Sequence, residues 1–219
     1  VQTDSYFCVT GASLDISVNG VNKALWASHK VVIGDEIKLG YSSHGCRSYV
    51  GIAGGFNINP SFGSSATVMR EKVGGLNGAK LAANDILPCD KTTELVRQAL
   101  PESDWPVYGQ QGNNEQESDT VLHLLLGYQH HLFDSRTRAR FFNSQYTVTD
   151  RSDRMGMRLE GPAVPCPSEK MLSEGICLGA VQVPADGQPI VLLNDRQTIG
   201  GYPKIGAIIA RDTAHLAQL

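Results

Sequence analysis

Two short stretches concentrate the residues able to do chemistry. In the first, Gln188 precedes an apolar run at 190–193, and Asn194, Asp195, Arg196, Gln197, Gly200, Gly201, Tyr202 and Lys204 follow. Asp195 and Lys204 have the chemistry of a base and an acid, or of each other's counter-ion. Gly200 and Gly201 allow backbone to approach a ligand closely, and Tyr202 adds a flat wall with a hydroxyl. A polar loop raised on a rigid strand is a usual place for a site; the plain alternative is a stiff Gly-Gly-Tyr-Pro turn. The second stretch, 151–162, reads RSDRMGMRLEGP. Arginine forks such as Arg154 and Arg158 suit bidentate recognition of a carboxylate or similar anion. Alternation at 157–160 puts Arg158 and Glu160 on one strand face, where an Arg–Glu surface pair is the structural alternative.

Other catalytic signatures are missing. The sequence has no G-x-x-x-x-G-K-[ST] phosphate loop, no H-E-x-x-H and no G-x-S-x-G elbow. His130 and His131 are adjacent, so their side chains diverge in helix or strand, and a solvated loop pair is expected rather than a metal site. His29, His44, His123 and His215 are isolated, and no metal is expected. Five widely spaced cysteines without a C-x-x-C pair read as free thiols of a reducing cytoplasm.

The elements that must position these groups are mostly strands. Residues 15–18 and 21–25 flank Asn19-Gly20, a strong hairpin signal because both residues tolerate positive φ. Residues 31–33 and 37–39 flank Gly34-Asp35 in the same manner. Residues 47–53 read as a strand running into Gly54-Gly55, and 81–87 as another, with little helix before residue 90. Residues 98–119, with Pro101, Pro106, Gly109, Gly112 and many polar side chains, read as a linker or insertion between a first subdomain at 1–97 and a second at 120–219. The second opens with a strand at 121–126, then a helix at 134–142 capped by Asp134 or Ser135, and strands at 145–149 and 157–160. A hairpin of 180–183 and 190–193 follows, then a strand at 205–210 and a closing helix capped by Asp212.

Composition narrows the function classes. Hydrophobic residues are 41% and charged residues 19% of 219 residues, enough to bury a core and too apolar for whole-chain disorder. Glycine and proline, 23 and 10, exceed an average share of roughly 12%, which favours tight turns and β structure. A formal net charge of -3 argues against a dedicated nucleic-acid binder, and no apolar run is long enough to span a membrane.

The stretches 151–162 and 174–206, with 126–133, Thr10-Gly11-Ala12, Ala53-Gly54-Gly55 and Asp85-Ile86-Leu87-Pro88, resemble the biotin-dependent carboxyltransferase A/B family. Its members include proteins called allophanate hydrolase subunit 2, the C component of 5-oxoprolinase, a module of urea carboxylase, and KipA. The resemblance implies a mainly β fold of two cyclophilin-like barrel subdomains with a few short helices, in the cytoplasm. It implies one component of an ATP-dependent lactam hydrolase acting on 5-oxoproline. Its partners would be the A component of 5-oxoprolinase and the B component, the carboxyltransferase C/D counterpart, with ATP bound together with those partners. The alternatives are a biotin-dependent carboxyltransferase module, for which biotin would be the cofactor, and a KipA-like regulatory binding protein. On the hydrolase reading Asp195, Lys204 and Arg154 are the catalytic candidates. Arg158, Glu160, Gln182, Gln188, Gln197, Gly200, Gly201 and Tyr202 are the substrate-binding ones. Ile199 stands where the family most often has a threonine, so no catalytic hydroxyl is expected there. The chain opens on Val1 without a leader-like segment, and the resemblance implies truncation at both ends.

Overall fold

The computed structural model describes residues 1–92, 94, 98–106, 120–166 and 171–219. Its fold is mainly β. It divides into two compact units, Val1–Gly109 with Gln218, and Gln110–Ala217 with Leu219.

The first unit is organised by one long strand, β1 (Ser5–Val18). β2 (Val21–Lys23) and β3 (His29–Val31) pair antiparallel with its two ends, and β4 (Ile37–Ile52) pairs along its length. Phe7 faces both His29 and Ile52, and Ile16 faces both Lys23 and Leu39. β2 and β3 therefore share one edge of β1, and β4 takes the other. Along β1 the buried apolar positions are Phe7 and Val9, then Ile16 and Val18. That change of parity coincides with register shifts between Gly11 and Ile16, because each bulge turns the strand's core-facing side by one residue. These residues pack with Leu25 and Val31.

The Asn19-Gly20 hairpin forms as expected, with φ of 52° and 80° at its two turn residues and Val18 opposite Val21. The second expected hairpin, about Gly34-Asp35, does not form. The Asp35 carboxylate accepts from Val32 N (2.8 Å) and from Asn19 Nδ2 (2.7 Å), while Asn19 Oδ1 accepts from Glu36 N (2.9 Å). This lattice carries the chain from β3, which pairs with the start of β1, to β4, which begins opposite Val18 on the other edge. Residues 81–87 also form no strand. Asp85 closes a turn onto Ala82 N (2.6 Å), and Leu81 and Ile86 stay exposed. The near absence of helix before residue 90 holds among the described residues.

Part of the expected linker belongs to the first unit. Ala99 bridges Ala27, Leu100 N donates to Trp26 O (2.9 Å), and Trp105 packs against the Phe7–Val31 core. An indole of that size gains more from burial than a loop loses by being tied down. Residues 107–119 lie outside the described residues.

The second unit holds a six-stranded antiparallel sheet. Its strands are β5 (Leu124–Leu126), β6 (Thr147–Val148), β7 (Gly156–Glu160), β9 (Ala180–Gln182), β10 (Ile190–Leu192) and β12 (Lys204–Ile208), in the order β5-β12-β9-β10-β7-β6. A separate two-residue ladder joins β8 (Glu174–Gly175) and β11 (Ile199–Gly200). The expected 180–193 hairpin is the centre of this sheet. Period-two alternation divides its side chains: Val181 and Val191 enter the main core with Phe133, Met157 and Ile205, while Ala180 and Leu192 pack with Ile176 on the opposite face.

α1 (Ser135–Phe142) starts as expected, with Asp134 Oδ1 accepting from Thr137 N (2.6 Å). That bond and the adjacent Thr137 hydroxyl hold the Asp134 carboxyl below its ordinary pKa. α2 (Ala210–Leu216) differs, because Ile209 occupies the cap position and Asp212 lies within the first turn. Asp212 is buried and accepts from His123 N (2.5 Å) and from the His123 ring (2.8 Å). It ties the strand entry at 123 to the helix instead of capping it.

Candidate functional site

The polar groups of the second unit collect where β8 and β11 lie across the sheet face that bears Ala180, Gln182, Ile190 and Leu192. Ile176 anchors this strip by packing on Ala180 and Leu192. Gly200 stands opposite Glu174 in the ladder. A Cβ on Gly200 would lie 2.7 Å from Ile176 Cδ1 and 3.0 Å from both Gln182 Nε2 and Gln197 Nε2. The glycine therefore lets the strip settle onto the sheet, bringing two side-chain amides toward one point. Gly201, the second member of the pair, is exposed, beside Met171 O and Ser173 Oγ.

Lys204 and Gln182 are direct partners across β12 and β9, so their side chains leave the same face. The Lys204 ammonium, almost out of solvent, donates to Glu174 Oε1. The same carboxylate accepts from Gln129 Nε2 and from the Tyr128 hydroxyl. Gln129 Oε1 accepts from Lys204 N (2.8 Å), so one buried glutamine fixes both members of the ion pair. Gln182 is 2% exposed, and its Nε2 has no hydrogen-bond partner among the described residues. A buried donor left in that state is uncommon.

The sequence candidates divide into groups. Lys204, Gln182, Gln197 and Gly200 come together as described. Asp195 and Lys204 do not pair with each other. Asp195 takes the Arg154 fork through two bonds, Nε to Oδ2 at 2.8 Å and Nη2 to Oδ1 at 3.0 Å, and Asp195 N donates to Arg154 O (3.0 Å). Arg154 is thus occupied by a carboxylate of its own chain. Arg158 lies in the same cross-strand row as Lys204 and Gln182, through Ile190. The expected alternative of an Arg158–Glu160 pair does not appear; among the described residues neither side chain makes an ion pair. Glu160 is exposed opposite Thr147. Gln188 sits at the far end of the hairpin, its amide bonded to Gly161 N (3.0 Å) and Gly161 O (3.2 Å), where it closes the β7 end. Tyr202 is about half exposed.

Sequence reasoning missed Glu174, Gln129 and Tyr128 as site residues. Glu174 had a local signal: it is the only charged residue between 171 and 185, and a lone carboxylate in an apolar stretch needs a partner from elsewhere. Gln129 and Tyr128 lie in the 126–133 stretch that resembles the family, but only the fold brings them to Glu174. The histidines after them are engaged locally, His130 Nδ1 with Gly127 O and His131 Nδ1 with Tyr128 O, each at 2.7 Å. Among the described residues no group of three or more His, Cys, Asp or Glu is placed to hold a metal ion, and no helix is long and apolar enough to cross a membrane.

A carboxylate-anchored lysine beside an unpaired amide donor, carried on a short ladder over an antiparallel sheet, suits polarisation of a carbonyl or amide. Residues 1–219 match the family profile of the carboxyltransferase domain, subdomain A and B, and the chain belongs to that family. It is 35% identical over 223 residues to the C subunit of 5-oxoprolinase from Escherichia coli K12, covering all of this chain and 67% of that protein. It is 31% identical over 219 residues to the Haemophilus influenzae protein of the same name, with the same coverage. The crystal structure of Kluyveromyces lactis urea carboxylase superposes with a TM-score of 0.86 over the whole chain, at 23% identity and over 20% of that chain, which shows a shared fold.

Proposed function

We propose that the chain acts as the C component of a 5-oxoprolinase-type, ATP-dependent lactam hydrolase in the cytoplasm, working with the A and B components. The observation that carries the reading is the Lys204–Glu174 pair beside the unpaired Gln182 amide, in a chain similar over its full length to two 5-oxoprolinase C subunits. Opening a lactam requires a polarised carbonyl, a proton for the departing nitrogen and a hold on the substrate carboxylate. Lys204 handles the proton and Glu174 orients it. Arg158, with no carboxylate partner among the described residues, offers its fork to the substrate carboxylate. Arg154 and Asp195 hold the 194–198 turn in place. Gln197, Gly200, Gly201 and Tyr202 form the wall over the substrate, while Gln188 and Glu160 support the hairpin end. ATP is bound with the partner components, and no residue of this chain is assigned to it.

The test is phosphate and glutamate release by the protein assembled with both partners, with and without 5-oxoproline. Release of both that depends on 5-oxoproline and collapses in Lys204→Met supports the reading. An assembled complex that shows no such dependence overturns it, and biotin-dependent carboxylation of urea would then be assayed on the same preparation.

A further inference from the structure

We infer that Gln182 is the group that recognises the neutral carbonyl oxygen of an amide, through its Nε2. The inference rests on the preceding reading for its choice of 5-oxoproline as probe. Gln182 lies on β9, between β12 and β10, flanked by Lys204 and Ile190, its direct cross-strand partners. An apolar side chain would fill that position without penalty, whereas a glutamine whose Nε2 has no partner among the described residues weakens the fold. A donor kept in that state is matched to an acceptor that arrives from outside the chain.

The surroundings specify the acceptor. Glu174 already neutralises Lys204 and stands opposite Gly200, whose vacant Cβ position Gln182 approaches. A carboxylate brought against Gln182 would face Glu174 and be repelled, while a neutral carbonyl would not. The Gln197 amide nitrogen approaches the same vacant position from the solvent side. The two amide nitrogens stand on either side of a point that Gly200 itself closes, so an oxygen reaches Gln182 only once the glycine moves aside, and the ammonium beside it is then available to the amide nitrogen. The cover over Gln182 is a ladder of two residue pairs followed by Gly201, extended by the Ile176 N to Thr198 O bond (3.0 Å) and anchored by Ile176. Entry of the amide requires that the 199–201 strip lift from Gln182.

The experiment compares the full chain with Gln182→Met, which keeps length and removes the donor. Thermal shifts are measured with 5-oxoproline, urea and proline, and turnover is measured after assembly with the partner components. The expected result has three parts: 5-oxoproline or urea stabilises the wild type and proline does not; none stabilises Gln182→Met; and the variant without ligand melts at or above the wild-type temperature. In the assembled enzyme KM for 5-oxoproline rises about tenfold or more, because a site built to bond a substrate oxygen loses that bond. A variant that melts lower and keeps its ligand shift overturns the inference, as does a wild type indifferent to both amides. Amide-dependent shifts without 5-oxoproline turnover support the carbonyl site and overturn the hydrolase reading, so the two failures are told apart.

Discussion

The second unit contains two ion pairs that look alike in sequence and differ in place. Arg154 and Asp195 meet through a two-bond fork with a backbone bond beside it, and the Arg154 side chain is 52% exposed. Lys204 and Glu174 meet with the lysine side chain 11% exposed, and the carboxylate carries two further donors. The first pair has its bonding satisfied within the chain and is screened by water, which is the character of a fastening. The second is largely desolvated at its lysine and adjoins a donor with no partner among the described residues, which is the character of a reacting site. Charge and spacing alone do not separate the pairs: Asp195, Lys204 and Arg154 are all catalytic candidates in the sequence, and Glu174 is not among them.

Breaking the second pair should have the largest effect. Lys204→Met is expected to lower turnover of the assembled enzyme by about a hundredfold, within the range of a lost general acid. It should cost about 2 kcal/mol of stability, less than the roughly 3–5 kcal/mol of a fully buried pair because Glu174 is partly solvated. Urea denaturation and steady-state rates check both. An equal loss in Arg154→Ala would erase the contrast between the pairs.

Gly200→Ala comes next. The added methyl meets Ile176 Cδ1 at 2.7 Å and two amides at 3.0 Å, so the strip must rise, costing about 1–2 kcal/mol. KM should rise more than kcat falls, and a melting curve with kinetics separates the two. Asp195→Asn should do less: a stability loss of under about 1 kcal/mol and turnover within a few-fold of wild type. A collapse of turnover in that variant would return Asp195 to the catalytic set.

The smallest effect appears only in acid. Burial pushes the Asp212 carboxyl up, but the His123 N–H and ring, with the nearby His215, outweigh it and hold the pKa below the ordinary value. A group depressed on folding stabilises the fold above its unfolded pKa of about 3.9, and that contribution is lost as pH falls through the folded value. Asp212→Asn should therefore flatten the fall in melting temperature below about pH 4 relative to wild type.

The strand content, the Asn19-Gly20 turn, the Asp134 cap and the 180–193 hairpin were legible because each is written locally, in alternation or in a turn residue. The Gly34-Asp35 turn misled because its outcome rests on Asn19, sixteen residues before Asp35. Asp212 misled for a similar reason: a good capping residue was claimed by His123, far away in sequence. Of the site, Lys204, Gln197 and Gly200 could be named from one stretch, and Gln182 from the resemblance. Their grouping could not, since Glu174 and Gln129 arrive from separate segments and no spacing rule links them.

The long strand β4 has a consequence for how the protein behaves in concentrated solution. It runs for 16 residues and, among the described residues, bonds to β1 and to no second strand on its far side. Tyr41, Tyr49 and Val50 lie open along it. A strand edge with no second strand on it, beside exposed aromatics, is a template on which another chain can add, although the Cys46 and Arg47 amides are taken by the Gln218 side chain. Lys38 and Arg47, with the glycines at 40, 45 and 51, interrupt that template by charge and by weak strand propensity. Replacing those residues with apolar β-formers would favour sheet growth from molecule to molecule, visible as light scattering that increases with protein concentration.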